Sequence, residues 1–262
     1  MNRFLFVANF KMNPVSPEEA EEYRRILSRE CEEKNWQHTE GVLAPSFLHL
    51  SLFKELPKNF SLGAQHGFPE KSGSFTGEVS FAMLKSLGVE YVIIGHSERR
   101  QYFGETNEIV QIRTEAALKY LLRPIVCIGE TEGELASGKR ERVLTEQIKS
   151  VLTGLSKMQA EKIVFAYEPR FAIGTGITPT TQDIVSVRNF IQSILVKYLG
   201  ETCTERVRIL YGGSVKAGNF AEVALESGMD GVLVGKESLS PYEVVKMMDL
   251  SEKQREKEIT KI

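Results

Sequence analysis

A carboxylate, an imidazole, an ammonium and a carboxamide stand at the ends of separate apolar runs in this 262-residue chain. Glu168 closes "IVFAYE", His96 follows "YVIIG", and Asn9 and Lys11 lie at the end of "FLFVANFK". Two further runs end in glycine-rich stretches, "YGGS" at Ser214 and "LVGK" at Leu233, Gly235 and Lys236. Such a set can move protons, stabilise developing negative charge and hold a phosphate on backbone N–H groups. Taken singly, each group has an ordinary explanation: a solvated surface lysine, a hydrogen-bonded core histidine, a loop acid facing water, a turn glycine. Their shared position at run ends makes them a set, provided the fold brings those ends together.

The runs recur about every thirty residues: "FLFVANF", "GVLAPS", "SLGAQ", "YVIIGH", "PIVCIGE", "IVFAYEP", "VRILYGG" and "GVLVGK". They are short and lack clean alternation, as strands buried on both faces do. Between them lie segments with apolar residues at three- and four-residue intervals. One is "SPEEAEEYRRILSRECEEK", with a Ser16-Pro17 start and acids in its first turn; others are "TNEIVQIRTEAALKYL", "VLTEQIKSVL", "TQDIVSVRNFIQSILVKYL" and "FAEVALESG". Eight strand-then-helix units with no linker demand a parallel sheet with right-handed crossovers. That number in about 250 residues predicts an α/β fold, a single closed (β/α)8 barrel over residues 1–250. An open doubly wound sheet would want G-x-G-x-x-G after its first strand, and "NFKMNP" is not that. Residues 251–262, "SEKQREKEITKI", are expected to form a polar extension, frayed helix or disordered tail. In such barrels active sites lie at the carboxyl ends of the strands, where all of these groups fall.

Composition narrows the function classes. A chain this long buries roughly 75% of its unfolded surface, so no covalent staple is required. The net charge of −2 offers no basic field for nucleic acid. No apolar run approaches the roughly 20 residues that span a bilayer, so no membrane association is expected. "MNRFLFVANF" is too short for a secretory core. Three cysteines without a Cys-x-x-Cys pair or a histidine cluster predict neither disulfides nor a metal site, and a cytoplasmic location. Cys127, within "PIVCIGE", reads as a small buried hydrophobe.

The blocks "ANFKMN", "SFTGEVS", "IIGHSERR", "PIVCIGE", "AYEP", "AIGTG", "LYGGSV" and "DGVLVG" resemble, in order and interval, the signature blocks of the triosephosphate isomerase family. The resemblance runs from Phe4 to about Met248. It implies a TIM barrel that interconverts dihydroxyacetone phosphate and D-glyceraldehyde 3-phosphate in glycolysis and gluconeogenesis, without cofactor or metal, as a homodimer. It also implies that Glu168 is the base, that Asn9, Lys11 and His96 stabilise the intermediate, and that Glu98 holds Lys11. Gly174, Ser214, Leu233, Gly235 and the N–H of Lys236 would bind the substrate. "GSFTGEVS" would be a dimer loop whose Thr76 enters the partner's site, anchored by Phe75, with Gln65 nearby.

That chemistry is physically coherent. Shifting a carbonyl along a three-carbon sugar means taking a proton beside it and returning it one carbon over, and one carboxylate can do both. The proton lies about a dozen pK units above a carboxylate, roughly 16 kcal/mol, so the site must stabilise the enediolate electrostatically. Residues 169–179, "PRFAIGTGITP", resemble the family's closing loop, which would exclude water and seat Glu168. Here the chain departs from the usual pattern: Arg170 and Phe171 replace an aliphatic residue and a tryptophan, and Ile177 and Pro179 replace lysine and alanine. Altered loop opening is the expected consequence. Lys236 stands in place of a second glycine and His66 in place of an asparagine. Two alternatives stay open: a Schiff-base aldolase with Lys11 as nucleophile, and a catalytically silent phosphate-binding barrel. A tetramer is also compatible with the sequence.

Overall fold

A computed structural model describes residues 2–170 and 179–260. The eight apolar runs become β1 (Phe4–Asn9), β2 (Thr39–Ala44), β3 (Phe60–Ala64), β4 (Tyr91–Ile94), β5 (Arg123–Ile128), β6 (Val164–Tyr167), β7 (Arg208–Tyr211) and β8 (Gly231–Val234). They pair in parallel and in sequence order, and β8 returns to β1 with Leu5 opposite Gly231, closing the barrel. The fold is therefore the single (β/α)8 barrel that the strand count predicts.

Both strand faces are buried, so the alternation missing from the sequence exists only in space. Phe4, Phe6 and Ala8 face outward into the layer beneath the helices, whereas Leu5 and Val7 face the barrel interior. Val164 and Ala166 of β6, Leu210 of β7 and Leu233 of β8 share that interior. Side chains alternate with a period of two, so the next inward positions, Asn9, Glu168, Gly212 and Gly235, fall at the barrel mouth. At the opposite end Arg208 and Glu40 form an ion pair of 2.5 Å beneath Tyr91.

Local chemistry sets the helix starts. Ser16 accepts from the Glu19 N–H at 3.2 Å and Pro17 takes the first helical position of Pro17–Cys31. Thr180 and Asp183 make a capping box for Thr181–Leu199. The stretch "FAEVALESG" differs from expectation: it forms only a five-residue π turn, Ala221–Leu225, which tucks Val223 and Ala224 inward. The last helix, Pro241–Thr260, crosses position 250 without a break. Its polar end is engaged with the barrel: Glu252 accepts from the N–H groups of Gln37 (2.7 Å) and His38 (3.0 Å), and Ser251 meets Thr39 at 3.1 Å. Asp249 holds Lys34 at 2.6 Å and the Trp36 indole at 2.9 Å. The chain leading into β2 is thereby clamped.

Candidate active site

The carboxyl ends of β1, β4, β6, β7 and β8 surround a cavity of about 500 Å³ lined by Asn9, Lys11, His96, Glu168, Ser214 and Gly235, among others. Leu233 forms part of its floor, only 3% exposed, and Lys236 stands at its rim. Residues as far apart in the chain as Asn9 and Lys236 thus share one enclosure.

Glu168 is buried more deeply than Asn9, His96 or Ser97 on the cavity lining, at 2% exposed. Its Oε1 lies 3.0 Å from His96 Nε2, and its Oε2 accepts from the Ser97 N–H at 2.8 Å. Two glycines make room for it. A Cβ on Gly129 would fall 1.9 Å from the Glu168 carbonyl oxygen, and one on Gly212 would fall 2.9 Å from its Cγ. In sequence these glycines carry only a turn signal, and Ser97 carries none, because what matters is its backbone N–H. Burial pushes the Glu168 carboxyl upward, but the His96 ring and the Ser97 donor outweigh it and hold the group below the ordinary range.

His96 precedes the short helix Ser97–Tyr102, and its Nδ1 accepts from the Glu98 N–H at 3.3 Å. A nitrogen that accepts carries no proton, so in the neutral ring the proton sits on Nε2 and faces the cavity. Burial pulls this ring downward, and the adjacent Glu168 carboxylate more than reverses that in the ligand-free protein.

Lys11 has a backbone φ of +54°, a conformation that side chains resist. Its N–H donates to Asn9 Oδ1 at 3.0 Å, and its carbonyl accepts from the Gln65 amide at 2.8 Å. Gln65 also donates to the Ala44 carbonyl at 2.8 Å, so within its own chain it ties β1 to β2 at the cavity edge. The Lys11 ammonium meets Glu98 Oε1 at 2.5 Å. Its stem runs past Gly235, where an added Cβ would approach Lys11 Cε to 3.1 Å. Behind β7, Asn219 accepts from the Lys216 N–H at 2.9 Å and donates to the Ser214 carbonyl at 3.0 Å, shaping the glycine-rich turn. The sequence offers no signal for Asn219. Gly174, Phe171 and Ile177 lie outside the described residues.

Thr76 and Phe75 are not in this cavity. They sit on an exposed loop, with the Phe75 ring tilted against Phe68 at 4.6 Å between ring centroids yet still 42% exposed. A second cavity of about 310 Å³ adjoins the first, lined by Lys11, Met12, Gln65, His66, Glu98 and Phe103, among others. His66 there is pushed down to about 3 by burial, then by the charges of Arg99 and Arg113, so its ring is neutral beside Glu78 at 3.4 Å. Among the described residues no histidine, cysteine or carboxylate cluster could hold a metal ion, and no helix is long and apolar enough to cross a membrane.

A buried carboxylate, an imidazole N–H, a carboxamide and an ammonium around a small polar cavity can move a proton on carbon and hold the resulting oxyanion. A family model described as triosephosphate isomerase matches residues 4–251. The triosephosphate isomerase of Dictyoglomus turgidum is 44% identical over 245 residues, covering 92% of this chain and 96% of the relative. That of Acetivibrio thermocellus is 43% identical over 242 residues, covering 91% and 95%. That of Thermoanaerobacter pseudethanolicus is 40% identical over 251 residues, covering 95% and 100%. The chain belongs to the triosephosphate isomerase family.

Proposed function

We propose that this protein interconverts dihydroxyacetone phosphate and D-glyceraldehyde 3-phosphate through an enediolate. The single observation that carries the reading is the 3.0 Å contact of Glu168 with His96 inside the cavity that also holds Asn9 and Lys11. Glu168 takes the C1 proton of the ketose; the C–H electron pair forms the C1–C2 double bond and the carbonyl pair becomes an enediolate oxygen. The hydroxyl proton passes from O1 to O2 by way of His96. The same carboxyl returns a proton to C2 at the expense of the C1–C2 double bond, and the O1 electron pair closes the C1 carbonyl. His96 Nε2–H and the Asn9 amide donate to the two oxygens, while Lys11, steadied by Glu98, offsets the oxyanion and the phosphate. Ser214, Leu233, Gly235 and the N–H of Lys236 form the phosphate end; Gly174, which the family resemblance adds to that set, lies outside the described residues.

Glu168 is bonded to the Ser97 N–H in the ligand-free protein, so substrate must draw it off that donor. This keeps the base ionised and dry until carbon is in reach. The aldolase alternative needs a free neutral amine, whereas the Lys11 ammonium is engaged by Glu98.

We further infer a cytoplasmic homodimer. Met12 is 91%, Leu48 85% and Phe103 66% exposed in the single chain, and the second cavity opens between Met12 and Phe103. The loop bearing Phe75 and Thr76 suits that cavity in a partner subunit. A coupled assay of glyceraldehyde 3-phosphate conversion tests the function: the wild type turns over and Glu168→Gln does not. Equal rates for both would exclude the mechanism.

A further inference from the structure

The short helix Ser97–Tyr102 carries two adjacent arginines with different partners. Arg99 is bonded to the buried Glu105 carboxylate. Arg100 makes no ion pair with a described residue. Each of its three guanidinium nitrogens donates instead to an uncharged oxygen: Nε to the Gly95 carbonyl at 2.8 Å, Nη1 to Asn107 Oδ1 at 2.9 Å and Nη2 to the Cys127 carbonyl at 3.3 Å. Pairing of β4 with β5 ends at Ile94 and Val126, so Gly95 and Cys127 are the next residues on the two chains. The guanidinium thus adds one rung where backbone pairing has stopped. His96 follows Gly95 directly, and the Glu168 N–H donates at 2.8 Å to the carbonyl of Ile128, which follows Cys127. The rung therefore joins the segment that carries the electrophile to the segment that holds the base. It is closely packed, since a Cβ on Gly95 would fall 3.1 Å from Arg100 Nη2.

Burial pulls the Arg100 guanidinium below its ordinary range, and Glu168 and Glu105 are the carboxylates whose charges act against that. Glu105 is already matched by Arg99 and Arg113, whereas no described lysine or arginine is in ion-pair contact with Glu168. A half-buried cation bonded only to neutral oxygens costs desolvation that a neutral donor would avoid. We propose that Arg100 is a positioning residue for the isomerisation: its fork fixes the spacing of the His96 and Glu168 segments, and its charge serves Glu168 as a fixed, non-contacting counterion. The inference rests on the isomerase reading and deepens it. Glu168 is also faced by His96 from the β4 exit and by the Cys127 thiol, held neutral by burial, from β5. Lys11 with Glu98, then Arg170, Lys216, Lys236 and Glu237, carry the other charges on its cavity. Substitution at Arg100 alters none of these.

Two variants separate the roles. Arg100→Gln keeps a donor and loses the charge; Arg100→Lys keeps the charge and loses the fork. Near pH 8 both are expected to lose about 10- to 100-fold in kcat, the effect of misplaced reacting groups, with KM within about twofold. Removing a nearby positive charge disfavours a carboxylate, so the acid limb of kcat/KM in Arg100→Gln should move to higher pH by about one pH unit. In Arg100→Lys the limb should stay with the parent's. A merely structural role would lower all pH values equally. An unmoved limb in Arg100→Gln, a limb displaced in Arg100→Lys, or a parent-like kcat in either overturns the proposal. If Arg100→Gln does not fold, Arg100→Lys decides alone by the same two criteria. The 13C resonance of the Glu168 carboxyl, assigned by its absence in Glu168→Gln, reads the coupling without turnover and should titrate at higher pH in Arg100→Gln only. A parent in which that coupling holds but nothing is isomerised sinks the isomerase reading alone. A parent that isomerises with a Glu168 titration indifferent to Arg100 sinks the Arg100 proposal alone.

Discussion

His96 Nε2 lies 3.0 Å from Glu168 Oε1, joining the exits of β4 and β6 across the barrel mouth. The second carboxylate oxygen is held by the Ser97 N–H at 2.8 Å, from a residue 71 positions away in the chain. Base and electrophile are thus parked against each other in the ligand-free protein, and each shifts the other's titration.

Replacing the carboxylate tests its chemical role. Glu168→Gln keeps the size and removes the base, and kcat/KM is expected to fall about 10³-fold. Circular dichroism should report an intact fold, because neither Gly129 nor Gly212 is crowded by an isosteric side chain.

The Glu168–His96 pair also ties stability to pH. Glu168 is depressed, so its contribution is present above its unfolded value of about 4.3 and lost as pH falls through the lower folded value. His96 is raised, so its contribution is complete below about 6.5 and lost as pH rises through the higher folded value. The melting-temperature difference between wild type and Glu168→Gln should therefore peak between about pH 4.3 and 6.5. A difference that grows steadily to pH 9 would contradict the pairing.

Lys11 separates function from backbone strain. Lys11→Met is expected to lower kcat/KM by about 10²- to 10³-fold, the effect of deleting one preorganised charge donor. Because φ is +54° there, Lys11→Gly should be more stable than Lys11→Ala by about 1 kcal/mol, although both lack activity. Equal chemical denaturation midpoints would show that the conformation is unstrained.

The exposed aromatic loop should respond to charge. Phe75→Glu is expected to weaken self-association by about 30-fold, the loss of a hot-spot anchor of about 2 kcal/mol. Sedimentation over a dilution series would then show dissociation at about 30-fold higher concentration than in the parent, with activity falling in parallel. An unchanged dimer would remove Phe75 from the interface.

Glu105 offers a stability prediction outside the site. Its carboxylate is buried and bonded by both Arg99 and Arg113. Glu105→Gln leaves those cations uncompensated and should cost about 3–5 kcal/mol in unfolding free energy. A loss under 1 kcal/mol by urea denaturation would mean that water replaces the carboxylate.

How much of this was legible beforehand differs from residue to residue. Glu168, His96, Asn9 and Lys11 could be read as a set because each ends an apolar run, and a parallel barrel puts every run end on one rim. The Ser16 cap was equally visible, since capping depends on neighbours three residues away. The barrel itself followed from eight repeats of one local pattern. Which strand residues face inward was invisible, because burial on both faces erases alternation in the sequence, and only ring closure makes Leu5 inner and Phe4 outer. The Ser97 donor, the space provided by Gly129 and Gly212, the Gln65 brace on Lys11 and the clamping of Gln37 and His38 by Glu252 all join distant segments. Such contacts depend on backbone groups and clearances that residue type does not encode. Local chemistry therefore chose the reactive groups and their strands, while tertiary closure decided their distances, their partners and their protonation.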